Sequence, residues 1–360
     1  MENEEAKMNG TEKTDIKSLT REELRKEVCE MGEKSFRADQ IYDWIHVKLV
    51  RGFDEMTNIS RSFREECKER FSFTDLKEVR VQESKIDKTR KFLFQLEDGN
   101  LVESVFLPYK HGNSVCISSQ VGCRMGCAFC ASTLYGLTRN LKASEMLDQI
   151  YRITKITGER VSNVVVMGTG EPLDNYDNLI RFITLLTDEY GLHISQRNVT
   201  VSTCGIVPGI LKLAKEKLQI TLALSLHAVT DEKRQKLMPI AKTYSIGELM
   251  DAADVYFQET GRRITFEYSL VAGVNDTYED VKGLAELSGK RNCHINLIPV
   301  NPIKERNFRQ PDKEYVASFK NQLEKYQRNV TIRREMGKDI DGACGQLRKR
   351  HLEEGKGDIC

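Results

Sequence analysis

The sequence predicts an α/β fold in which a partial (β/α)6-type barrel follows a small N-terminal helical domain and a β-extension. From Ser114 onward, apolar strand-like runs alternate with amphipathic helical patterns at intervals of about 30–40 residues, which is typical of a parallel sheet with right-handed crossovers. Six or seven such units favour an open or partial barrel over a complete eight-fold barrel. Before residue 77 the apolar spacing is helical, and over residues 78–107 it changes to the two-residue period of strands.

These changes of period divide the chain into five predicted segments. In the helical domain, Ser18 or Thr20 can cap the first helix, and a second helical stretch runs from Ser60 to Phe71. In the β-extension, Asp-Gly-Asn at 98–100 indicates a hairpin turn between two strands. The predicted boundaries are 1–16 for a disordered, Glu/Lys-rich N-terminus, 17–77 for the helical domain, 78–110 for the β-extension, 111–340 for the barrel and 341–360 for a C-terminal segment.

The elements of the barrel are predicted from the same two periods. Strands are expected at 114–118, 162–167, 198–203, 219–225, 263–270, 293–298 and 329–333. Helices are expected at 143–157, 175–190, 206–217, 246–260, 276–288 and 312–326. Because functional groups of such folds lie in loops after the carboxyl ends of the strands, we expect the site of this chain at those ends.

The composition excludes several classes of function. The chain has 360 residues, with 55 Lys and Arg against 54 Asp and Glu and a net charge of +1, so any RNA binding must use local basic patches. Its first residues are charged and lack the apolar stretch of a signal peptide, and no apolar run approaches the ~20 residues of a membrane span. Ten cysteines without an export signal indicate a reducing compartment. We therefore expect a soluble, cytoplasmic protein with no membrane partner.

Cys123, Cys127 and Cys130 form a C-x3-C-x2-C pattern directly after the first predicted barrel strand. The glycines that precede the first two leave the backbone free to turn the three thiols toward one point. Thiolates at this spacing bind a soft metal centre, and three cysteines on a cubane iron–sulfur cluster leave one iron open. The alternatives are three core cysteines in a loop, or a zinc site closed by His111.

Polar residues also lie at the ends of other predicted strands. Glu171 can accept an ammonium group, and the glycine before it allows a ligand to approach the backbone. A single polar residue at a strand end is usually a turn residue, and His227 can equally be a core histidine. Four strand ends that carry polar residues and face the same opening of the barrel are better explained by a bound ligand. The residues concerned are Gly170, Glu171, Ser202, Ser225, His227 and Asn301.

Two further cysteines, Cys344 and Cys116, are candidates for reactive thiols because of their positions in the sequence. Cys344 follows the last predicted strand in a Gly-flanked segment that we expect to be flexible, and Cys116 lies on the strand that leads to the three-cysteine loop. A mobile thiol and a strand thiol near one site can form a transient disulfide. The alternative is that the two cysteines are unrelated.

The C-x3-C-x2-C pattern, with Phe129 before its third cysteine, resembles that of the radical S-adenosylmethionine (SAM) enzymes. Gly170-Glu171-Pro172 resembles their Gly-Gly-Glu-Pro motif, with Thr169 in place of the first glycine. Together with Ser-Leu-His at 225–227 and Asp-Ile-Asp-Gly-Ala-Cys-Gly-Gln-Leu at 339–347, these motifs resemble the RlmN family of radical SAM RNA methyltransferases. The resemblance runs from about residue 18 to residue 350.

The resemblance implies a cofactor, a mechanism and substrates. It implies a [4Fe–4S] cluster held by Cys123, Cys127 and Cys130, and two SAM molecules per turnover. One SAM would methylate Cys344, and the other would yield the radical that activates this methyl group for addition to C2 of adenine. Cys116 would then release the product by forming a disulfide with Cys344. The SAM-binding residues by the same resemblance are Gly170, Glu171, Ser202, Ser225, Leu226, His227 and Asn301.

Glu103, on a strand of the β-extension, matches the acidic residue that this family uses to contact adenine and to move protons. From the sequence alone it is only a carboxylate on a strand face. The RNA partners implied are 23S rRNA, at the peptidyl transferase centre, and tRNA, at the adenosine beside the anticodon. An electron donor for the cluster and a reductant for the disulfide are implied as well.

Two other functions stay open. Cfr-type relatives use the same residues to methylate C8 of the rRNA adenine, although they tend to have Ala where Pro172 stands here. A non-catalytic zinc and RNA-binding module would need a fourth zinc ligand and would give Cys344 no role.

Overall fold

The computed structural model describes residues 13–301, 306–340, 342 and 345–357. Thr20 caps the first helix: its hydroxyl accepts from the amide of Glu23, and the Glu23 carboxylate accepts from the amide of Thr20. This confirms one of the two predicted caps. The helical domain contains strands β1 (Thr14–Asp15) and β2 (Phe71–Ser72), which pair in parallel, and between them helices α1 (Arg21–Glu30), α2 (Phe36–His46) and α3 (Arg61–Arg70).

Strands and helices then follow as the sequence pattern predicts, with four additions. The β-extension consists of β3 (Lys77–Glu83), β4 (Arg90–Gln95) and β5 (Leu101–Leu107). The barrel region contains β6 (Asn113–Ile117), β7 (Gln120–Gly122), β8 (Leu137–Asn140), α4 (Ala143–Thr157), β9 (Val161–Val166), α5 (Tyr176–Thr187), β10 (Val199–Thr203), α6 (Val207–Lys215), β11 (Thr221–Ser225), α7 (Asp231–Leu237), α8 (Ile246–Thr260), β12 (Ile264–Leu270), α9 (Tyr278–Gly289), β13 (Cys293–Pro299), α10 (Lys313–Lys325), β14 (Val330–Ile332) and α11 (Gln346–Gly357). The additions are the short strands β7 and β8 and the helices α7 and α11, which the periodicity did not predict.

One ten-stranded sheet connects the barrel with the β-extension, in the order β14-β13-β12-β11-β10-β9-β6-β5-β4-β3. In this sheet β6 and β9 to β14 pair with one another in parallel, and β3, β4, β5 and β6 are successively antiparallel. Strands β7 and β8 form a separate antiparallel pair. The predicted fold class is thereby confirmed. Because β5 pairs with β6, the β-extension continues the barrel sheet along its edge.

Along β12, apolar side chains that pack in the core alternate with polar side chains that face the other side of the sheet. Phe266, Tyr268 and Leu270 are fully buried in the main hydrophobic core. Glu267 and Ser269 lie between them in sequence and therefore face the opposite side of the sheet. Side chains of α4 and α8 contribute to the same core. The apolar face of the strand is thus covered, and the polar face is left for the barrel interior.

Two expectations at the chain ends need correction. The predicted disorder over 1–16 extends too far, because Ile16 is fully buried and 14–15 form a strand. Residues 1–12 lie outside the described residues. The Gly-flanked segment around Cys344 was expected to be flexible, but its last residues, 346–347, begin a helix (346–357) whose Leu347 is fully buried. None of the helices in the described ranges has the length and apolar character needed to cross a bilayer.

Candidate active site

The three cysteines of the C-x3-C-x2-C pattern lie in one loop between β7 and β8. Gly122 allows the entry to this loop, because its φ is +81° and a Cβ built on it would lie 1.9 Å from the carbonyl oxygen of Gly136. The amide of Cys123 donates to that same oxygen at 2.8 Å. The glycine therefore lets the two sides of the loop approach closely, and no other residue fits without a backbone shift.

The loop buries its thiols to different degrees. Cys123 and Cys127 are buried, and Cys130 is half-buried. Burial raises the pKa of Cys123 to about 12 and also raises that of Cys127, so a bound cation is needed to keep them ionised at neutral pH. In the described ranges, no three His, Cys, Asp or Glu side chains are arranged around a single metal ion. A cubane iron–sulfur cluster does not need ligands that surround one ion, because each of its thiolates binds a different iron.

Glu171 is buried after β9, against the start of the three-cysteine loop. Gly170 has φ +111°, and a Cβ on it would lie 2.6 Å from the Cβ of Gln120. This close approach lets the amide of Glu171 donate to the side-chain Oε1 of Gln120 at 2.8 Å. The Glu171 carboxylate accepts from the amides of Cys204 at 2.7 Å and Leu173 at 3.1 Å. Burial nevertheless raises its pKa, so a nearby ammonium group would favour the ionised form.

The register of the sheet places the other predicted strand ends side by side. Ser202 of β10 is paired with Ala223 of β11, and Ser225 lies two residues further along the same face. The amides of Leu226 and His227 both donate to the carbonyl oxygen of Glu267, at 3.0 and 3.3 Å. The predicted SAM residues of β10 and β11 therefore line one continuous edge.

His227 joins this edge to the three-cysteine loop. Its Nδ1 accepts from the amide of Ser269 at 2.8 Å, which assigns the ring proton to Nε2. The edge-to-face contact with Phe129 has ring centroids 4.9 Å apart. Burial, together with the nearby Arg234 cation, lowers the pKa of His227 to about 3, so the ring is neutral at physiological pH. The residue is thus a buried, neutral histidine with a bonded Nδ1, and it also borders the loop.

Arg234, on helix α7, which was not predicted, hydrogen-bonds to the backbone at the carboxyl ends of β10 and β11. It is fully buried, and its guanidinium donates to the carbonyl oxygens of Cys204 (2.7 Å), Leu226 (3.1 Å) and Ser225 (3.2 Å). Its Nη1 has no acceptor among the described residues. The signal for α7 in the sequence was Thr230 followed by two acidic residues, a capping pattern on a helix of only seven residues.

Cys116 and Asn301 border one cavity of about 460 Å³ at the mouth of the barrel. Cys116 is buried on β6, where it pairs with Val105 of β5. The segment after β14 closes the cavity from the other side and brings Arg333, Arg334 and Lys338 to it. The cavity therefore combines a strand thiol with cationic side chains, as a site for an anionic substrate requires.

Glu103 is buried beside this cavity and contacts the C-terminal segment. Its carboxylate accepts from the amides of Gly345 (2.6 Å) and Arg348 (2.5 Å) and pairs with Lys91 at 2.9 Å. Cys344 itself lies outside the described residues. Gly342, on one side of it, lines the cavity, and Gly345, on the other side, contacts Glu103.

Sequence reasoning missed Glu267 in the barrel interior. Burial raises the pKa of this carboxylic acid, although its Oε2 accepts from the Asn296 amide group at 2.9 Å. Arg333 reaches the sulfur of Met167 on the opposite side of the barrel at 3.2 Å. Polar residues at every second position between buried apolar ones on β12, with Glu267 the charged one, were the available signal.

The fold and the site together define a radical SAM enzyme. The parallel strands of a partial barrel surround a mouth at which a C-x3-C-x2-C loop follows the first strand. In agreement, residues 117–287 match the model of the radical SAM superfamily. Residues 14–72 match the N-terminal domain of ribosomal RNA large subunit methyltransferases.

The particular family follows from full-length relatives. The chain is 65% identical over 341 residues to a probable dual-specificity RNA methyltransferase RlmN of Lachnospira eligens, covering 95% of this chain and 97% of the relative. It is 58% identical over 344 residues to the protein of that name in Lachnoclostridium phytofermentans, covering 96% and 97%. A radical SAM methyltransferase structure from Sphaerobacter thermophilus superimposes with a TM-score of 0.89 at 40% identity, covering 92% and 98%. The chain belongs to the RlmN family.

Superfamily membership implies a [4Fe–4S] cluster and SAM, and the described residues fit both. Three cysteines in one loop leave one iron of such a cluster without a protein ligand. The buried Arg234 cation near Cys127 and Cys204 favours an anionic group there. The buried Glu171 carboxylate favours a cationic group, as the SAM amino group is.

Proposed function

We propose that this protein methylates C2 of adenosine in 23S rRNA and in tRNA, with SAM both as methyl donor and as source of a radical. The observation that carries the proposal is the meeting of Cys116, Glu103 and the two sides of the Cys344 segment at the mouth of the barrel. Reactive thiols outside the three-cysteine loop, such as Cys116 and Cys344, have a chemical role only if the protein itself carries the methyl group.

The route through a cysteine follows from the substrate. C2 of adenine is an electrophilic amidine carbon, so the direct transfer of a methyl cation from SAM is unsuitable. In our proposal the Cys344 thiolate instead displaces the methyl group from a first SAM, giving S-methylcysteine and S-adenosylhomocysteine. When bound, the cluster supplies the electron that converts a second SAM into a hydrogen-abstracting radical.

The chain's own residues then carry out the remaining steps. The S-methyl group of Cys344 loses a hydrogen atom to the radical derived from the second SAM, and the resulting methylene radical bonds to C2 while Glu103 contacts the base. The adduct then gives up one electron, for which the bound cluster would be the acceptor, and the C2 proton, which Glu103 accepts. The Cys116 thiolate attacks the sulfur of Cys344, and the bond from that sulfur to the methylene carbon breaks. The electron pair stays on this carbon, which takes up a proton and becomes the methyl group. An external dithiol reductant restores both thiols.

We assign SAM binding to Gly170, Glu171, Ser202, Ser225, Leu226, His227 and Asn301, and the cluster to Cys123, Cys127 and Cys130. Two contacts support the assignment. Glu171 hydrogen-bonds to Gln120 of β7, the strand that leads into the three-cysteine loop, and His227 packs against Phe129 within the loop. The target adenine must leave its stack to reach the cavity, so recognition depends on RNA shape. Such RNA targets place the protein in the cytoplasm.

The test is anaerobic reconstitution with SAM, a reductant, and unmodified rRNA or tRNA, followed by mass spectrometry of the nucleosides. We expect 2-methyladenosine from the wild type and none from Cys344→Ala. Cys293→Ala, at the amino end of β13, is the matched control and should stay active. The Cys116→Ala variant should retain a covalent protein–RNA adduct. An 8-methyladenosine product would indicate Cfr-type chemistry, and cleavage of SAM with no methylated adenosine would contradict the proposal.

A further inference from the structure

The β-extension does more than connect two domains, because it also contacts the segment after β14. The Asp87 carboxylate, in the turn between β3 and β4, accepts from the amide of Gly337 at 2.9 Å. The Asp339 carboxylate accepts in turn from the hydroxyl of Ser84 (2.6 Å) and the amide of Lys85 (2.8 Å). These reciprocal contacts fix the path of the segment before it reaches Cys344 in sequence.

Helix α11, which begins after Cys344, is held by the same strands. Leu347 is fully buried against Leu93 of β4 and Leu101 of β5, and Leu352 packs beside them. An exposed ion pair at 2.8 Å joins Arg80 of β3 to Glu354. The apolar contacts hold the helix on the sheet, whereas the exposed pair adds little.

Glu103 lies at the centre of this contact. Its two carboxylate oxygens accept from the amides of Gly345, which directly precedes α11, and of Arg348 in the first turn of this helix. A carboxylate at this place satisfies donors that have no partner within the helix and also complements the helix dipole. The Lys91 ammonium, fully buried, pairs with the same carboxylate at 2.9 Å. Glu103 is therefore a charged cap supplied from outside the helix.

Strand register places this cap next to the reactive strand thiol. Glu103 faces Leu93 across β4 and β5, and Val105, two residues on, is paired with Lys91 on one side and Cys116 on the other. Residues two apart on a strand share a face. Lys91, Glu103 and Cys116 therefore lie on one face of the sheet, and α11 covers that face beside Cys116.

We propose that Lys91 and Glu103 form a seat for α11 that positions the Cys344 segment, and that RNA binding opens this seat. In the closed arrangement Glu103 is 3% exposed, so an adenine ring cannot reach its carboxylate. The base gains access when the amides of 345 and 348 leave. Glu103 thus has two successive partners, the α11 amides before RNA binds and the adenine afterwards, and Lys91 holds the carboxylate in place for both. This inference rests on the proposed function.

Hydrogen exchange on the full-length, cluster-loaded enzyme without RNA tests the seat directly. In Glu103→Gln and Lys91→Met we expect the amides of 345–349 to exchange at least about tenfold faster, because hydrogen bonds to a buried charge are lost. Arg80→Ala, which removes only the exposed ion pair to α11, is the matched control and should change exchange less than threefold. Peptides from α4 report whether a variant is folded. Unchanged exchange of 345–349 in both seat variants would overturn the proposal.

Two further readouts separate a positioning role from a merely structural one. In Lys91→Met, methylation of Cys344 by SAM without RNA should slow at least about tenfold while SAM affinity stays within twofold of wild type. Adding tRNA or rRNA to the wild type should speed exchange at 345–349, and protection that stays the same or increases would refute the exchange of partners. If the seat variants behave as expected but the wild type methylates neither Cys344 nor RNA, the seat stands and the proposed function fails.

Discussion

The edge-to-face contact between Phe129 and His227 joins the three-cysteine loop to the end of β11. Their ring centroids are 4.9 Å apart, with the planes at 78°. His227 has φ +56° and is fixed from behind by the Ser269 amide, so the loop packs against a ring that is held in one orientation. The two motifs, far apart in sequence, thereby form one rigid wall of the site.

The first prediction concerns pH. Burial lowers the pKa of His227 to about 3, so its ring stays neutral across the range in which an ordinary histidine titrates. We therefore expect the affinity for SAM to show no transition with a midpoint near pH 6.5. The affinity is measured between pH 8 and 5.5 by equilibrium dialysis on the cluster-loaded enzyme. A transition near 6.5 that disappears in His227→Asn would contradict this, since Asn keeps an acceptor and tolerates positive φ.

The second prediction concerns assembly of the cluster. Gly122→Ala would place a Cβ 1.9 Å from the carbonyl oxygen of Gly136, and this oxygen belongs to backbone that also binds the Cys123 amide. We expect less than about a tenth of the wild-type iron and sulfide after reconstitution, because the loop must shift. Gly136→Ala is the matched control: its φ is also positive, at +67°, but no atom lies within 4 Å of its Cβ. Equal iron content in both variants would show that the clash is tolerated.

The third prediction separates SAM binding from cluster binding. In Gly170→Ala the new Cβ meets the backbone and Cβ of Gln120 at 2.8 and 2.6 Å, which moves the loop that carries Glu171. We expect SAM affinity to fall about tenfold or more while the iron content stays at the wild-type level. Gly273→Ala, with φ +72° and open space around it, controls for backbone strain alone. Normal SAM affinity in Gly170→Ala would remove Glu171 from the SAM site.

The elements of the barrel could be predicted because they rest on local signals. The strand at 162–167, for example, lies within one residue of β9, since a run of β-branched residues between turns needs no knowledge of its partners. The seat of α11 could not be predicted, because Glu103 and Gly345 are 242 residues apart in sequence and neither has an unusual neighbourhood. Ile16 was misjudged for a similar reason: its polar neighbours suggest disorder, but it is buried when β1 pairs with β2.

The fourth prediction concerns the contact between the helical domain and the barrel. Lys17 and Asp148 of α4 form an ion pair at 2.7 Å with both side chains fully buried, and the amide of Leu76 also donates to Asp148. Lys17→Met would leave the carboxylate without its main counter-charge, which should lower the free energy of unfolding by about 3–5 kcal/mol. Lys17→Met combined with Asp148→Asn should recover part of this loss. Urea unfolding measures both, and an equal loss in single and double variants would show that packing alone matters.

The last prediction is a pH dependence of stability at the same contact. His46 of α2 is completely buried, its Nδ1 is 2.7 Å from the Tyr151 hydroxyl of α4, and its Nε2 has no partner within the described ranges. Burial, reinforced by the Lys17 cation, lowers its pKa to about 3. Below an unfolded-state pKa near 6.5 the unfolded chain therefore binds a proton that the folded chain does not, so stability falls as pH falls.

The expected slope follows from this difference. Between pH 6 and pH 4 the free energy of unfolding should decrease by about 1.4 kcal/mol per pH unit through His46 alone. His46→Asn keeps an acceptor for the Tyr151 hydroxyl, but it cannot titrate, so its stability should lie below that of the wild type at pH 7 and depend less on pH. His193→Asn, at an exposed histidine, is the control and should keep the wild-type slope. Parallel pH profiles for wild type and His46→Asn, measured by urea unfolding, would show that other buried groups, and not His46, set the acid sensitivity of this domain contact.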